Sequence, residues 1–210
     1  MQGRLYRRAL GVAGLGVLAA VGAAAWLHGA AQAPGSGPSV AGEPALPLGI
    51  RLGGPFTLTD HLGNRFTDHD LHGGWTLLYF GYTSCPDVCP TELQTMSAAL
   101  GMLAPDLAAR VRPVFATIDP ERDTATRLAS YVTLFDPRLI GLTGTPEQVA
   151  QAARAFRVYY ARSRAEGSTD YLMDHSSFIY LLDPDGAVRA LFRAGTTAED
   201  LATALRRRLA

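Results

Sequence analysis

The sequence contains no lysine: all 19 of its basic side chains are arginine, and no mechanism follows from that alone. Two cysteines in 210 residues rule out a four-thiolate zinc site, which would need a third and a fourth. Net charge is zero, so nothing marks a nucleic-acid partner. No internal repeat is present. What remains is a chain with 48% hydrophobic and 18% charged residues, enough apolar material for one well-buried domain plus an extension.

The extension is at the N-terminus. Arg4, Arg7 and Arg8 precede an uncharged apolar run, and no charge follows until Glu43. At about 1.5 Å per residue the run is long enough to cross a bilayer core. The positive-inside rule then predicts a cytoplasmic segment over 1–8, a transmembrane anchor over 9–28 and an exported remainder. A cleaved signal peptide is the alternative, since Ala31-Gln32-Ala33 resembles a cleavage site. Pro34 directly after that site and the length of the apolar run favour the anchor. Residues 29–49, rich in proline and glycine, read as a flexible tether, with a globular domain over 50–210. The expected location is a bacterial inner membrane, spanned once, with the C-terminal domain in the periplasm.

Both cysteines lie in Gly81-Tyr82-Thr83-Ser84-Cys85-Pro86-Asp87-Val88-Cys89-Pro90. The apolar run Trp75–Phe80 before it predicts a buried strand. Pro90 and Glu92 after it suit the first turn of a helix that ends before Ala104-Pro105. A strand-to-helix turn directs backbone N–H groups at its side chains and favours thiolate over thiol.

Around this stretch the pattern predicts a hairpin from Phe56–Thr59 and Asn64–Thr67, and a second core strand over Val111–Ile118. A helix follows to Phe135, capped by Asp123 or Thr124. Another runs from Pro146 to about Phe156 with Thr145 as its cap. The turn Asp183-Pro184-Asp185-Gly186 joins strands Ser177–Leu182 and Val188–Phe192, and a helix over Thr197–Leu209 closes the chain. The fold class is α/β: a thioredoxin-like mixed sheet with helices on both faces and an N-terminal hairpin.

Three uses of Cys85 and Cys89 are open. A disulfide staple across so short a loop would add only about 2 kcal/mol. A thiol-disulfide catalyst is the second, although thioredoxin-type enzymes favour two intervening residues and here there are three. A metal site is the third; two thiolates plus one imidazole would select copper(I). The imidazole candidates are His28, His61, His69, His72 and His175. His28 belongs to the membrane edge and His61 to a solvated polar turn. His69 and His72 could form a weak metal patch in an exposed loop. His175 precedes the strand at Phe178, at an end of the fold that would face the cysteine turn.

The cysteine stretch resembles the signature of the Sco/SenC family of copper-binding proteins. So do Asp119-Pro120-Glu121-Arg122-Asp123-Thr124, Gly141-Leu142-Thr143-Gly144, and Asp174-His175-Ser176 followed by Tyr180–Gly186. Ala125 stands where members often have proline, and Ile118 differs from the usual strand end. The resemblance implies a membrane-anchored, thioredoxin-like copper chaperone that matures the dinuclear copper centre of cytochrome c oxidase. Its partners would be the copper-bearing oxidase subunit and an upstream copper donor. It implies a copper ion on Cys85, Cys89 and His175, Cu(I) by the donor set, with binding of Cu(II) left open. Asp174 would support His175 from behind. Thiol-disulfide exchange through Cys85 and Cys89, keeping the oxidase cysteines reduced, is the alternative. A peroxiredoxin-like peroxidase is weaker, because Thr83 lies two residues before Cys85 rather than three.

Overall fold

The structure, a computed structural model, describes residues 51–164 and 170–209. The expected anchor over 9–28 and tether over 29–49 lie outside them. Among the described residues no helix is long and apolar enough to cross a membrane.

The chain opens with the expected hairpin, β1 (Thr57–Asp60) and β2 (Arg65–Thr67), and a single 3-10 turn over Asp68–Leu71. Then follow β3 (Trp75–Gly81), α1 (Val88–Gly101), α2 (Pro105–Ala108), β4 (Val111–Thr117), α3 (Ala125–Val132) and β5 (Ile140–Thr143). The second half comprises α4 (Pro146–Ala155), β6 (Tyr160–Ser163), β7 (Leu172–His175), β8 (Phe178–Leu182), β9 (Val188–Arg193) and α5 (Ala198–Leu209). Seven strands form one mixed sheet in the order β2-β1-β5-β4-β3-β8-β9, with β3, β4 and β5 parallel. β6 and β7 form a separate antiparallel ribbon.

Side-chain alternation along β3 shows why both faces of the sheet need helices. Tyr79 pairs in register with Phe115 on β4, and the Phe115 ring meets Tyr131 of α3 at 5.6 Å. Phe80 points to the other face, where its ring meets Phe156 at the end of α4 at 5.5 Å and Tyr180 of β8 at 6.0 Å. Tyr79, Phe80, Phe115 and Phe156 are all fully buried. Each such ring contributes about 1.5–3 kcal/mol by leaving water. A strand covered on both faces reads as a continuous apolar run, as β3 does.

Several elements depart from the sequence reading. α1 starts at Val88, so Cys89 is inside its first turn and Pro90 is third rather than first. Pro90 still costs no hydrogen bond there, because the first four N–H groups of a helix have no intrahelical acceptor. Pro105 does not merely end α1; it opens α2. Thr124 caps α3 through Arg127 N–H, and Thr145 caps α4 with Gln148 in a reciprocal box. β6 is unexpected, and it gives β7 a partner outside the main sheet.

Gly81 ends β3 where sheet, helix and cysteine meet. A Cβ there would lie 2.8 Å from Cys89 Sγ, 2.9 Å from Tyr79 Cε1 and 3.1 Å from Phe115 Cε2. Gly81→Ala is therefore expected to destabilise the protein by about 1–3 kcal/mol, read as a lower denaturant midpoint at unchanged slope.

Candidate metal centre

β3 delivers the chain to the cysteines, and β4 fixes where it goes next. Ile118 N–H donates to Gly81 O at 2.8 Å, holding the two strand ends together. Beyond them, the Asp123 carboxylate is fully buried and accepts three hydrogen bonds. Thr83 supplies two, from its backbone N–H at 2.9 Å and its hydroxyl at 2.5 Å; the Thr117 hydroxyl supplies the third at 2.6 Å. Arg127 adds its charge 3.7 Å away, donates to Thr83 Oγ1 at 2.6 Å and reaches Ser84 Oγ at 3.2 Å. Thr83 and Ser84, the two residues before Cys85, are thereby fixed in place.

Within that loop the two sulfurs have different surroundings. Cys85 is half-buried, with its N–H on Tyr82 O at 3.3 Å. Cys89 is fully buried, and its backbone N–H points at Cys85 Sγ at 3.4 Å. The Cys85 thiol is brought down to about 3, chiefly because the Cys89 S–H donates to it. Burial opposes that shift, while the His175 side chain and the backbone N–H groups of Asp87 and Cys89 reinforce it. Cys89 is pushed up, first because Cys85 holds its proton in that hydrogen bond and second because it is buried. The pair thus shares one proton, with the negative charge on the more exposed sulfur.

The third donor arrives from the ribbon. His175 ends β7, and its Nε2 lies 3.4 Å from Cys89 Sγ. Its Nδ1 is 3.0 Å from the carbonyl oxygen of Ser176. A carbonyl can only accept, so Nδ1 carries a hydrogen and Nε2 is the ring nitrogen turned to the sulfurs. Tyr79 and Tyr82 flank the ring edge-on, at centroid distances of 6.2 and 6.0 Å. The two Sγ atoms and a ring nitrogen all lie within 4.8 Å of one another. Donors around one ion at about 2.0–2.3 Å are separated by about 3.5–4 Å, so small side-chain rotations would suffice to hold one. Among the described residues this is the one group of three such donors.

The other expected residues fall elsewhere. Asp174 is exposed: neighbouring side chains in a strand point to opposite faces, so it cannot share the His175 side. The bond that orients the ring comes from Ser176, not from Asp174. His61 is not solvated; its Nδ1 accepts the Gly141 N–H at 3.1 Å and ties the first hairpin to β5. His69 and His72 are exposed and lie beyond the start of β3, away from the cysteines. His28 is outside the described residues.

Sequence reasoning missed Asp123, which it considered only as a helix cap, and Arg122. The Arg122 guanidinium stacks 3.8 Å over Tyr171, donates to the Tyr171 carbonyl at 2.9 Å and pairs with buried Asp119. Tyr171 in turn donates its hydroxyl to Asp119 at 2.8 Å. The loop after β4 therefore grips the chain entering β7. Two carboxylates and two threonines at the end of an otherwise apolar strand were the available signal, because buried carboxylates require donors.

The SCO1/SenC family model matches residues 45–210. The chain belongs to the SCO1/SenC family. A human relative, the mitochondrial SCO1 homolog, is 48% identical over 164 residues, covering 74% of this chain and 53% of the human protein. This chain thus spans about half of that relative. Solved Sco structures similar to this chain include copper-bound forms. Arabidopsis thaliana ScoI is 40% identical with a TM-score of 0.69, covering 75% of this chain and 98% of that one. Bradyrhizobium japonicum ScoI is 44% identical with a TM-score of 0.68, covering 74% and 98%. These likenesses establish the thioredoxin-like Sco fold for this SCO1/SenC chain. They also correct one expectation: curated relatives from human and Arabidopsis are mitochondrial, so placement in a bacterial inner membrane with a periplasmic domain is not supported.

Two measurements follow from the geometry of this SCO1/SenC site. Asp123→Ala strands the three donors that converge on it, and the expected loss is about 3 kcal/mol or more in chemical denaturation. In the reduced protein, iodoacetamide should label Cys85 and spare Cys89. Because the Cys85 pKa is depressed, its thiolate persists as pH falls, so the rate should stay nearly flat from pH 8 to 5. An ordinary thiol would slow about tenfold per unit over that range.

Proposed function

We propose that this protein is a copper metallochaperone that receives Cu(I) on Cys85, Cys89 and His175 and passes it to the copper-bearing subunit of cytochrome c oxidase. The observation that carries this reading is the convergence of two sulfurs and one tautomerically fixed imidazole from separate parts of the chain. A soft monovalent ion suits two thiolates and one ring nitrogen, whereas zinc would call for a fourth ligand. The bound copper of Arabidopsis and Bradyrhizobium ScoI supports the choice of metal.

The residues divide the work. Cys85, already anionic and half-exposed, meets the incoming ion first. Cys89 must then give up its proton, so loading releases one proton per ion and weakens as pH falls. His175 completes the site through Nε2, the ring nitrogen that the Nδ1 contact with the Ser176 carbonyl leaves facing the sulfurs. Release reverses this order: a partner's soft ligand enters at the half-exposed Cys85 and His175 edge, and the buried Cys89 lets go last.

A second reading rests on the asymmetry of the two cysteines. A half-exposed thiolate beside a buried, proton-donating thiol is also the arrangement of a thiol-disulfide exchange pair. Cys85 thiolate would attack a disulfide of the oxidase subunit, form a mixed disulfide and expel one partner thiolate. Cys89, losing its proton, would then displace the second, leaving a Cys85–Cys89 disulfide and a reduced partner. A peroxidase reading loses ground, because the Thr83 hydroxyl is committed to Asp123 and Arg127.

His175→Ala separates the two readings. Anaerobic titration with Cu(I) against a competing chelator should show an affinity loss of about 100-fold, with dithiol oxidation by glutathione disulfide within about threefold of the parent. Unchanged copper affinity in that variant would reject the three-ligand chaperone and leave the exchange reaction standing.

A further inference from the structure

The histidine pair at the opposite end of β3 is built more firmly than an exposed loop requires. His69 lies within the 3-10 turn Asp68–Leu71, and His72 caps its end three residues later. In a 3-10 helix side chains three apart eclipse, so both imidazoles stand on the same side. Their ring centroids are 5.6 Å apart and nearly perpendicular, at 72°.

The turn that carries them is held from every side. The Asp70 carboxylate folds back over its start, accepting from Thr67 N–H at 2.7 Å and from the Thr67 hydroxyl at 2.8 Å. His72 N–H donates to His69 O at 3.1 Å, which fixes the spacing of the two residues. Arg112 reaches the Asp70 carbonyl from β4, and Leu71 is buried beneath. On the far side, Gly73 N–H donates to Pro184 O at 2.9 Å and docks the turn on the β8–β9 hairpin. The His72 ring then lies over Gly186, where any side chain would collide: a Cβ there would be 2.6 Å from Nε2. The space is left for the ring.

We propose that His69 and His72 form a second metal site, a bis-imidazole chelate for a divalent first-row ion such as copper(II) or zinc(II). Two imidazoles on one ion at about 2.0 Å have centroids about 5 Å apart, so the observed separation closes with modest side-chain rotation. The donors decide the ion. Imidazole without sulfur offers nothing special to Cu(I), and without carboxylate or carbonyl oxygens it discriminates against calcium and magnesium. Water would fill the remaining positions of this exposed site, so binding is modest beside that of a three-donor pocket. The seven residues of β3, about 23 Å at about 3.3 Å each, separate this pair from the cysteines. The two sites cannot share an ion, and the proposal stands or falls apart from the chaperone reading.

The test removes the cysteine site and keeps the pair. In the full chain carrying Cys85→Ser, Cys89→Ser and His175→Ala, copper(II) is titrated under electron paramagnetic resonance. The expected result is one ion per chain with hyperfine structure from two imidazole nitrogens. Adding either His69→Ala or His72→Ala should weaken binding at least about tenfold and reduce the nitrogen pattern. The same stoichiometry, affinity and spectrum with both histidines replaced would overturn the site. Should the triple variant not fold, the unsubstituted protein serves: zinc(II) beyond the first equivalent should protect His69 and His72 together from diethyl pyrocarbonate. Equal modification with and without zinc would overturn the proposal independently.

Discussion

A fully buried carboxylate is expensive unless donors surround it, and Asp123 takes most of its hydrogen bonds from the cysteine loop, with Arg127 3.7 Å away. Two of its three hydrogen bonds come from Thr83, and the third from Thr117 at the end of β4. The same charge thus joins the end of a core strand to the residue two before Cys85. Removing the carboxylate would not merely delete three bonds; it would leave a backbone N–H and two hydroxyls facing a site closed to water. The cysteine turn is held by an interaction that cannot be partly lost, and its rigidity passes to the sulfurs. Gly81 completes the constraint by allowing Cys89 to pack against the last residue of β3.

That rigidity gives the two sulfurs unequal character. Near each other but unequally buried, they cannot both be anionic at neutral pH, so the charge settles on Cys85 and the proton on Cys89. Either use of the dithiol starts from this state. A soft metal ion supplies the positive charge that allows Cys89 to ionise as well; a disulfide partner supplies an electrophile for Cys85. Metal binding and thiol exchange therefore compete for the same thiolate. His175 is what favours metal, because exchange needs no third donor.

Much of this was legible in the sequence, and the reasons are local. β3 is a run of apolar residues buried on both faces, and α4 has Thr145, Pro146 and Gln148 at its start; both declare themselves through side chains within one element. Cys85 and Cys89 are the chain's only thiols and sit at one strand-to-helix turn. His175 could be chosen from five histidines only by the family resemblance, since its partner residues are 86 and 90 positions earlier. The failures share a cause. β6 has little apolar content and is a strand only because β7 pairs with it. His61 looks solvated until β5 is brought beneath it to donate the Gly141 N–H. Asp174 looked like support for His175 because it is adjacent in sequence, yet adjacency in a strand means opposite faces. Asp123 resembles an ordinary cap until Thr83, 40 residues away, is placed against it.

The site is consequently made of two halves with different mechanical backing. The cysteine half belongs to the main sheet through β3 and to α1, and it is pinned by Asp123. The histidine half is the end of a two-stranded ribbon, an element that is marginal in water by itself. The ribbon is tied down by side chains and a few backbone bonds: Arg122 and Tyr171 on Asp119, and Tyr159 against Ser176. Ser176 holds both the His175 ring, through its carbonyl, and the ribbon, through its N–H and hydroxyl. Any displacement of the ribbon must therefore carry the imidazole with it, while the sulfurs stay where the sheet puts them. The proposed carrier role would draw on this division, because His175 can withdraw with the ribbon while the sheet keeps the two sulfurs in place.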